Sequence, residues 1–316
     1  MIRISRAGLF SFAALVLFAI VGYPSLVAQD FSPAVSVQPI NESVLKHFTW
    51  RSVGPAGAGG RIVDIAVGGE SPRRIYVAAA TGGLWKSTNE GTSWEPLFDH
   101  EHVASIGDVT VDPTNPDTVW IGSGEVNPRN SVSWGDGVYK STNGGKTWTN
   151  VGLKDTRHIG RIIVDPRNPN VVYVGALGHL WGPNKERGVF KTTDGGQTWT
   201  PSLFINADTG VSDLAMDPFD SNTIYAAAYE VRRDGFPGGD PEKGWGPGSG
   251  IYKTADGGRT WRKLTQGLPP GDLGRIGIDV AVSNPSVLYA VVQTPTTVPR
   301  ETNDESGPPP PASGPK

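Results

Sequence analysis

One nine-residue phrase occurs four times in this chain of 316 residues. Its copies, KSTNEGTSW, KSTNGGKTW, KTTDGGQTW and KTADGGRTW, end at Trp94, Trp148, Trp199 and Trp261, at intervals of 54, 51 and 62 residues. Each lysine closes a short Gly-aliphatic-aromatic-Lys run, such as GLWK at 83–86. A near-constant period of about fifty residues indicates an architecture built from repeated units, so the repeat is interpreted before any single residue.

A second string recurs upstream of the phrase, in forms such as VTVDPTNPDTVWIG and IIVDPRNPNVVYVG. Each unit therefore contains short runs rich in Val, Ile, Tyr and Trp, separated by turns that contain Asp, Asn, Gly and Pro. None of the runs has the length or the spacing of an amphipathic helix. Four strands per unit at this period predict an all-β chain, a β-propeller of four-stranded blades.

The repeated phrase is expected to form the turn between the third and fourth strands of each blade. Its Asp or Asn can accept hydrogen bonds from backbone N–H groups a residue or two ahead. A glycine two positions later permits positive φ, and the Trp is large enough to plug the seam between neighbouring sheets, with its indole N–H bound to a carbonyl. These expected structural residues are Asn89, Trp94, Asn143, Trp148, Asp194, Trp199, Asp256 and Trp261.

The phrase resembles the Asp-box, also called the bacterial neuraminidase repeat, with copies at 87–94, 141–148, 192–199 and 254–261. Asp-boxes occur in sialidases, xyloglucan-cleaving glycoside hydrolases, photosystem II assembly factors and sortilin-type receptors. Together with the VDPxNPxxVYVG strings, the chain most resembles the sortilin-like N-terminal domain of large exported bacterial proteins that are often labelled glycosyl hydrolases. That label describes fold content more than chemistry.

Two enzymatic consequences of the resemblance can be compared with the residues. A sialidase would imply an arginine triad, a Tyr–Glu nucleophile pair and an acidic Asp, and no Tyr–Glu pair is assignable beyond the dipeptide Tyr229–Glu230. Xyloglucan-cleaving enzymes place their two catalytic carboxylates on separate propellers that face one cleft. This chain is too short for two propellers, so it would contribute at most half of such a site.

The chain divides by composition into four segments. Residues 1–28 combine two arginines with an apolar run and small residues, which predicts a signal peptide; a retained membrane anchor is the alternative. A linker at 29–49 and blades over 50–293 follow, and residues 294–316 predict a Pro-rich disordered tail or a truncated insertion. The fifth unit supplies only two strands, which favours a fragment of a longer protein with further C-terminal blades over a natural four-bladed ring. The expected location is the periplasm or the extracellular space.

Composition excludes several kinds of site. With no Cys and five scattered His, the sequence offers no thiol chemistry and no zinc-binding spacing, and no metal or cofactor is expected. A formal net charge of −3 gives no reason to expect nucleic acid as a partner, and no membrane contact is expected after signal cleavage.

Two groups of residues are candidates for function. Loops that follow the second strands differ between blades and lie on the face opposite the Asp-boxes, where repeat proteins commonly place recognition. Their aromatic and basic side chains suit carbohydrate or peptide, although each Trp alternatively only fixes its own loop. The second group lies where the innermost strands begin, and serves either as ion pairs between blades or as a carboxylate pair for glycoside hydrolysis. The expected ligand-binding residues are Trp134, Trp181, Trp245, Arg161, Arg187 and Arg232, and the carboxylate candidates are Asp64, Asp108 and Asp213.

From these features the sequence favours an exported, non-catalytic propeller that binds protein segments or glycans. The alternative is a glycoside hydrolase of the xyloglucanase kind, or half of a two-propeller glycosidase. A tight carboxylate pair in an open cleft would favour the enzyme, whereas a face lined with aromatic and Arg side chains would favour binding.

Overall fold

The computed structural model of the chain describes residues 60–69, 74–127, 132–233 and 243–295. These residues form four sheets of four antiparallel strands each and one sheet of two strands, with a single 3₁₀ turn at Lys154–Thr156. The prediction of an all-β propeller with four complete blades and part of a fifth is confirmed. The predicted signal peptide and linker, and the tail from residue 296 onward, lie outside the described residues.

Within each complete sheet the strands follow one another in sequence order. Blade 1 contains β1 (Ile62–Val67), β2 (Ile75–Ala79), β3 (Gly83–Ser87) and β4 (Glu95–Pro96). Blade 2 contains β5 (Ile106–Val111), β6 (Val119–Ser123), β7 (Val138–Ser141) and β8 (Thr149–Gly152). Blade 3 contains β9 (Ile159–Val164), β10 (Val172–Ala176), β11 (Gly188–Thr192) and β12 (Thr200–Leu203). Blade 4 contains β13 (Thr209–Asp217), β14 (Asp220–Glu230), β15 (Gly250–Thr254) and β16 (Arg262–Lys263), and β17 (Ile276–Val280) pairs with β18 (Leu288–Val292).

The hydrophobic core lies in the seams between neighbouring blades. Four clusters of buried side chains each join residues of two adjacent sheets; one of them places Leu84 and Phe98 of blade 1 against Ile106 and Val119 of blade 2. Because strand side chains alternate between the two faces of a sheet, a central blade must supply apolar residues to both faces. The short Val- and Ile-rich runs of the repeat meet this requirement.

The innermost strand of each complete blade carries a bulge where the register to the next strand shifts, at Val63, Gly107, Gly160 and Ser212. In blade 2 this residue is Gly107, and a Cβ there would lie 2.1 Å from the carbonyl oxygen of Ile159 in blade 3. The extra residue turns the following side chain toward the propeller axis. The bulge thereby positions Asp64, Asp108, Arg161 and Asp213 at equivalent places.

Each Asp-box forms the turn between the third and fourth strands, but its hydrogen bonds reach farther than expected. In blade 3 the hydroxyl of Thr192 accepts the N–H groups of Asp194 and Gly196, at 3.2 and 3.0 Å. Asp194 Oδ1 accepts the N–H of Thr198, four residues ahead, at 2.9 Å. The hydrogen bond to an N–H two residues ahead, which was expected of the Asp, is thus made by the hydroxyl of Thr192. The carboxylate of Asp194 instead bridges the turn to Thr198.

Three of the four box tryptophans connect neighbouring blades through their indole N–H groups. Nε1 of Trp148 donates to the carbonyl of Leu97 at 2.9 Å, and Nε1 of Trp199 donates to that of Val151 at 2.8 Å. Trp261 donates instead to the Ser202 hydroxyl at 3.2 Å. Each partner belongs to the preceding blade. Trp94 in blade 1 is 41% exposed, since no described blade precedes it.

The Asp-boxes and the first-to-second strand turns lie on one face, as shown by bonds such as Gly144 N–H to the Asp117 carbonyl at 2.8 Å. The loops that follow the second strands, together with the connections between blades, form the opposite face, which we call the variable-loop face. No helix among the described residues is long and apolar enough to cross a membrane.

Candidate functional site

Three carboxylates converge on one guanidinium near the propeller axis. Arg161 lies 3.6 Å from Asp64, 3.4 Å from Asp108 and 3.6 Å from Asp213, in each case measured to Oδ1. These four residues come from four different blades; the three aspartates were predicted at the starts of innermost strands, whereas Arg161 was expected among the ligand-binding residues. The structure brings them together as one cluster, which we call the axial cluster.

The remaining oxygen of each aspartate accepts a backbone N–H from another blade. Asp64 Oδ2 binds Val109 N at 3.1 Å, Asp108 Oδ2 binds Ile162 N at 2.9 Å and Asp213 Oδ2 binds Ile278 N at 2.9 Å. Each carboxylate therefore contacts both Arg161 and the backbone of a neighbouring strand. This is the pattern expected of an interblade clasp, in which buried charges are paired and hydrogen-bonded.

Burial dominates the electrostatics of the axial cluster. Burial raises the pKa of Asp108 to about 7, against the opposing effect of Arg161, while the nearby Asp64 raises it further. Burial also raises the pKa of Asp213. The pKa of Arg161 is raised, since the attraction of the three aspartates outweighs the lowering effect of burial. The cluster thus holds a permanent cation beside a carboxyl that binds a proton near neutral pH.

A polar cavity of about 180 Å³ lies beside the axial cluster. Arg275 lines it and donates through Nη1 to Asn127 Oδ1 at 2.6 Å, and burial lowers the pKa of this arginine. Arg275 does not occupy the strand position of the axial residues. The strand register places Gly277, opposite Val291, at the position that Asp213 occupies opposite Ala227. Asn127 was missed, because nothing in the repeat pattern marks a loop amide.

Two of the three loop tryptophans are exposed on the variable-loop face. Trp134 is 66% exposed and Trp181 is 53% exposed. The guanidinium of Arg157 lies 4.6 Å from the ring centre of Trp134, and that of Arg233 lies 5.9 Å from the ring centre of Trp181. Such cation–π contacts fix a ring while leaving part of its surface open to a ligand. Trp245 is half-buried and packs against Gly274, consistent with a role in fixing its own loop.

An open groove of about 360 Å³ runs along the seam between blades 1 and 2 on the same face. Trp134 forms one wall, and Thr81, His102 and Ser133 supply polar groups. A solvent-exposed aromatic ring beside hydroxyl and imidazole groups can hold a sugar ring by stacking and by hydrogen bonding. We call this site the Trp134 groove.

The two loop arginines of the expected ligand-binding set are engaged within the protein. Arg187 is only 1% exposed, and its guanidinium donates to the backbone carbonyls of His179, Asp208 and Val231 at 2.5, 3.1 and 2.8 Å. The prediction that Arg187 contacts a ligand is therefore wrong, because its side chain is buried. Arg232 forms an ion pair with Asp208 at 3.2 Å. Arg187 thus supplies the donors that buried carbonyls need, and Arg232 pairs with a carboxylate, so both residues hold the loops.

No set of three or more His, Asp or Glu side chains in the described ranges is arranged to hold a metal ion. The axial carboxylates are close together, but Arg161 occupies the space between them.

The blade architecture is shared with known propellers. The solved structure of an ancestral GH74 enzyme matches with a TM-score of 0.58 at 24% identity, covering 78% of this chain and 29% of that chain. Residues 136–270 match the family model described as sortilin, neurotensin receptor 3 (Sortilin-Vps10). The chain is an Asp-box β-propeller. Three of its four boxes, at 141–148, 192–199 and 254–261, lie entirely within the matched segment.

Curated relatives of this Asp-box propeller include xyloglucanases. Xyloglucanase Xgh74A of Acetivibrio thermocellus is 27% identical over 267 residues, which is 78% of this chain and 30% of the relative. A xyloglucanase of a Paenibacillus species is 28% identical over 279 residues, covering 77% and 24%, and one of Hypocrea jecorina is 30% identical over 190 residues, covering 55% and 21%. The propeller thus spans about 30% of the length of the first of these relatives.

Proposed function

We infer that this propeller binds a β-glucan chain of the xyloglucan type on its variable-loop face, as one wall of a polysaccharide cleft in a longer exported protein. The observation that carries the inference is the Trp134 groove, an open seam whose wall is a largely exposed tryptophan. The similarity to xyloglucanases over more than three quarters of this chain supports a glycan over a protein segment as the ligand.

The chemistry of the groove suits a neutral sugar. Glucose and xylose units present flat C–H faces that stack on indole rings, and their hydroxyl groups need donors and acceptors close by. Trp134 supplies the ring, and Arg157 holds it from one side. The side chains of Thr81, His102 and Ser133 line the same groove and supply polar groups. Among the described residues, no arginine lines this groove to pair with an acidic sugar, which suits a neutral one.

The second candidate function is hydrolysis of the same glycan, favoured by the names of the relatives. In this alternative the propeller contributes one carboxylate of a pair whose partner lies on another propeller. Asp64, Asp108 and Asp213 are the carboxylate candidates, but each is bound by Arg161 and by a strand N–H. Their engagement favours a structural role for the axial cluster, and binding is therefore the preferred proposal.

Binding is tested by isothermal titration of the full chain with xyloglucan oligosaccharides. We expect Trp134→Ala to weaken binding by about tenfold or more, since one stacked ring commonly contributes a large share of the affinity. Trp94→Ala is the matched control, because Trp94 is also exposed but lies on the Asp-box face. Equal affinities for the wild type and Trp134→Ala would contradict the proposed site. The hydrolytic alternative would be favoured if the wild type released reducing sugar from xyloglucan and Asp213→Asn did not. The variant must have the same free energy of unfolding as the wild type for this comparison.

A further inference from the structure

In each complete blade, a lysine of the third strand covers an aromatic ring of the second strand. The distances from Nζ to the ring centre are 5.8, 4.6, 5.2 and 5.0 Å. Every pair is directly opposite in the strand register, and the four rings are at most 7% exposed. The pairs are Lys86 over Tyr76, Lys140 over Trp120, Lys191 over Tyr173 and Lys253 over Tyr225.

These lysines also connect one blade to the next. The ammonium groups of Lys86, Lys140 and Lys191 donate to the glycine carbonyl of the following Asp-box, at 3.0, 3.0 and 2.8 Å. An aromatic ring, a lysine and a box carbonyl therefore form a repeated unit. A third strand is needed to complete it, because the lysine comes from that strand.

The two-stranded sheet has the ring without the lysine. Tyr289 lies in β18 at the place that Tyr225 occupies in β14, and it is 67% exposed where Tyr225 is 7% exposed. No lysine of the described residues stacks on it, and β18 pairs only with β17 among those residues. Within the described ranges, its outer edge therefore presents backbone N–H and C=O groups that no strand pairs with, and such groups can template another strand.

A groove of about 620 Å³ runs along this open edge. It is lined by Ile251, Leu264 and Leu268 from blade 4 and by Leu288, Ala290 and Val292 from β18. Leu264, Leu268, Leu288 and Val292 are only partly buried and border the core cluster that holds blade 4 and β17 together. The groove is therefore a direct continuation of an interblade seam whose other half is already buried.

Blade 4 shows what fills the corresponding space in a complete blade. There the third-strand aromatic, Tyr252, is opposite Ala226 and packs into the seam with blade 3, beside Tyr173 and Leu214. The following residue, Lys253, is opposite Tyr225. Ala290 and Tyr289 of β18 correspond to Ala226 and Tyr225. A third strand on β18 would place its aromatic in the groove and its lysine over Tyr289.

We propose that the groove beside β18 is a strand-acceptor site for a β-hairpin of the pattern Gly-aliphatic-aromatic-Lys-Ser/Thr followed by an Asp-box turn. The backbone of the hairpin pairs with the free edge of β18, which is binding by strand addition. The aromatic side chain of the hairpin is buried in the groove. The lysine fixes the strand register by stacking on Tyr289. An otherwise similar strand that lacks either residue binds more weakly.

The test uses the full chain and a labelled synthetic peptide, SGIYKTADGGRTWRK, which copies residues 249–263. Binding is followed by fluorescence anisotropy with peptide concentrations up to about 1 mM, a range that reveals weak association. We expect saturable binding that weakens by about tenfold or more when the peptide tyrosine is replaced by alanine, or when the lysine next to it, the copy of Lys253, is replaced by glutamate. A scrambled peptide is the control for nonspecific association.

Protein variants locate the bound peptide. Ala290→Glu is expected to abolish binding because it places a charge in the groove, whereas Val282→Glu, in an exposed turn outside the groove, is expected to retain it. A double-mutant cycle between Tyr289→Leu and the peptide lysine should show a coupling that a merely structural effect does not produce. If Ala290→Glu fails to fold, benzoylphenylalanine at the peptide's aromatic position should cross-link wild-type protein within 264–269 or 288–292.

Several results would overturn the proposal. Equal binding of the scrambled peptide, unchanged binding by Ala290→Glu, or cross-links elsewhere would each place the peptide outside the groove. Absence of binding to a folded monomer would show that no such hairpin is accepted. A dimer that Ala290→Glu dissociates without peptide would show that a second copy of the chain is the occupant instead.

Discussion

At the scale of single residues, Asp and Asn perform the same task in the repeated turn. In blade 2, Asn143 Oδ1 accepts the N–H of Thr147 at 3.0 Å while its Nδ2 donates to the Thr147 hydroxyl at 2.8 Å. In blade 3, Asp194 accepts both groups of Thr198, at 2.9 and 2.6 Å. The threonine hydroxyl reverses its role between the two cases, because a hydroxyl both donates and accepts. The Asn and the Asp thus close the same turn, one as a neutral amide and the other as a charged carboxylate.

This equivalence predicts how Asp194 affects stability as pH changes. Hydrogen bonds from Thr192 and Thr198 lower the pKa of Asp194 below its ordinary value of 3.8. The stabilising contribution of a carboxylate with a depressed pKa is present above the unfolded-state pKa and is lost as pH falls through the folded-state value. We therefore expect Asp194→Asn to unfold like the wild type at pH 7 but to lose less stability below about pH 4. Urea unfolding at several pH values measures this.

The Asp194→Ala variant is the control for the prediction. It removes the acceptor for Thr198 N–H, so it should be less stable than Asp194→Asn at pH 7. Activity or glycan binding should survive in folded protein, since the box lies on the face opposite the variable loops. Loss of binding by a normally folded Asp194→Ala protein would show that the repeated turn is itself the site.

Asp108 should have the opposite pH dependence. Burial raises its pKa to about 7, above the ordinary value of 3.8. The folded state then binds a proton that the unfolded state has released, so this group reduces stability as pH rises from about 4 to about 7. Asp108→Asn keeps an acceptor for Ile162 N–H and removes the titration. As pH rises across that interval, we expect the free energy of unfolding of Asp108→Asn to increase relative to that of the wild type; a constant difference would contradict the assignment.

At the scale of elements, the fourth-strand tryptophan determines how one blade attaches to the preceding one. Trp148 and Trp199 each donate a hydrogen bond to the preceding blade and pack with the core of that seam. Gly152 lies beneath Trp199, and a Cβ there would come within 3.3 Å of the indole. The Asp-box turn thus places the indole of Trp199 in space that is free because Gly152 has no side chain.

Trp199→Ala should therefore cost about 2–4 kcal/mol of unfolding free energy, less than a fully buried tryptophan because the side chain is half-buried. Trp94→Ala is the matched variant, with the same box but no described preceding blade, and should cost about 1 kcal/mol or less. Chemical denaturation measures both. Similar losses would mean that the tryptophan stabilises its own turn rather than the seam.

At the scale of the whole molecule, both ends of the blade series present apolar faces. Ile65 and Val67 in β1 are 57% and 53% exposed, and Tyr289 and Val291 in β18 are 67% and 82% exposed. Their counterparts in the inner blades are buried in interblade seams; Val109 is 2% exposed and Ala227 is 0% exposed. Exposed sheet faces and edges of this kind promote association between molecules.

We expect the chain to self-associate when purified, in proportion to its concentration. Replacing Ile65 and Val291 together by lysine should reduce the association without a large change in melting temperature, since both side chains are exposed. Sedimentation velocity over a range of concentrations measures the effect. A monodisperse wild-type monomer with a sharp cooperative melt would contradict the open arrangement and favour a closed ring.

Sequence alone determined the fold of this protein, the four repeated turns and the task of the box tryptophans. It could do so because each blade is specified by local strand and turn patterns that recur every fifty or so residues, with contacts only to neighbouring blades. Sequence also placed Asp64, Asp108 and Asp213 at equivalent positions in their blades. It could not give the distances between these carboxylates and Arg161.

The tertiary structure decided which loop residues face solvent. Arg187 and Trp181 lie in one loop and look alike as binding residues, yet one is buried and the other exposed. Arg187 is drawn inward by carbonyls 8, 21 and 44 residues away, which no local pattern encodes. The Trp134 groove and the acceptor groove beside β18 likewise arise where segments distant in sequence meet. Irregular loops carry no period, so only their packing against one another determines the surface they present.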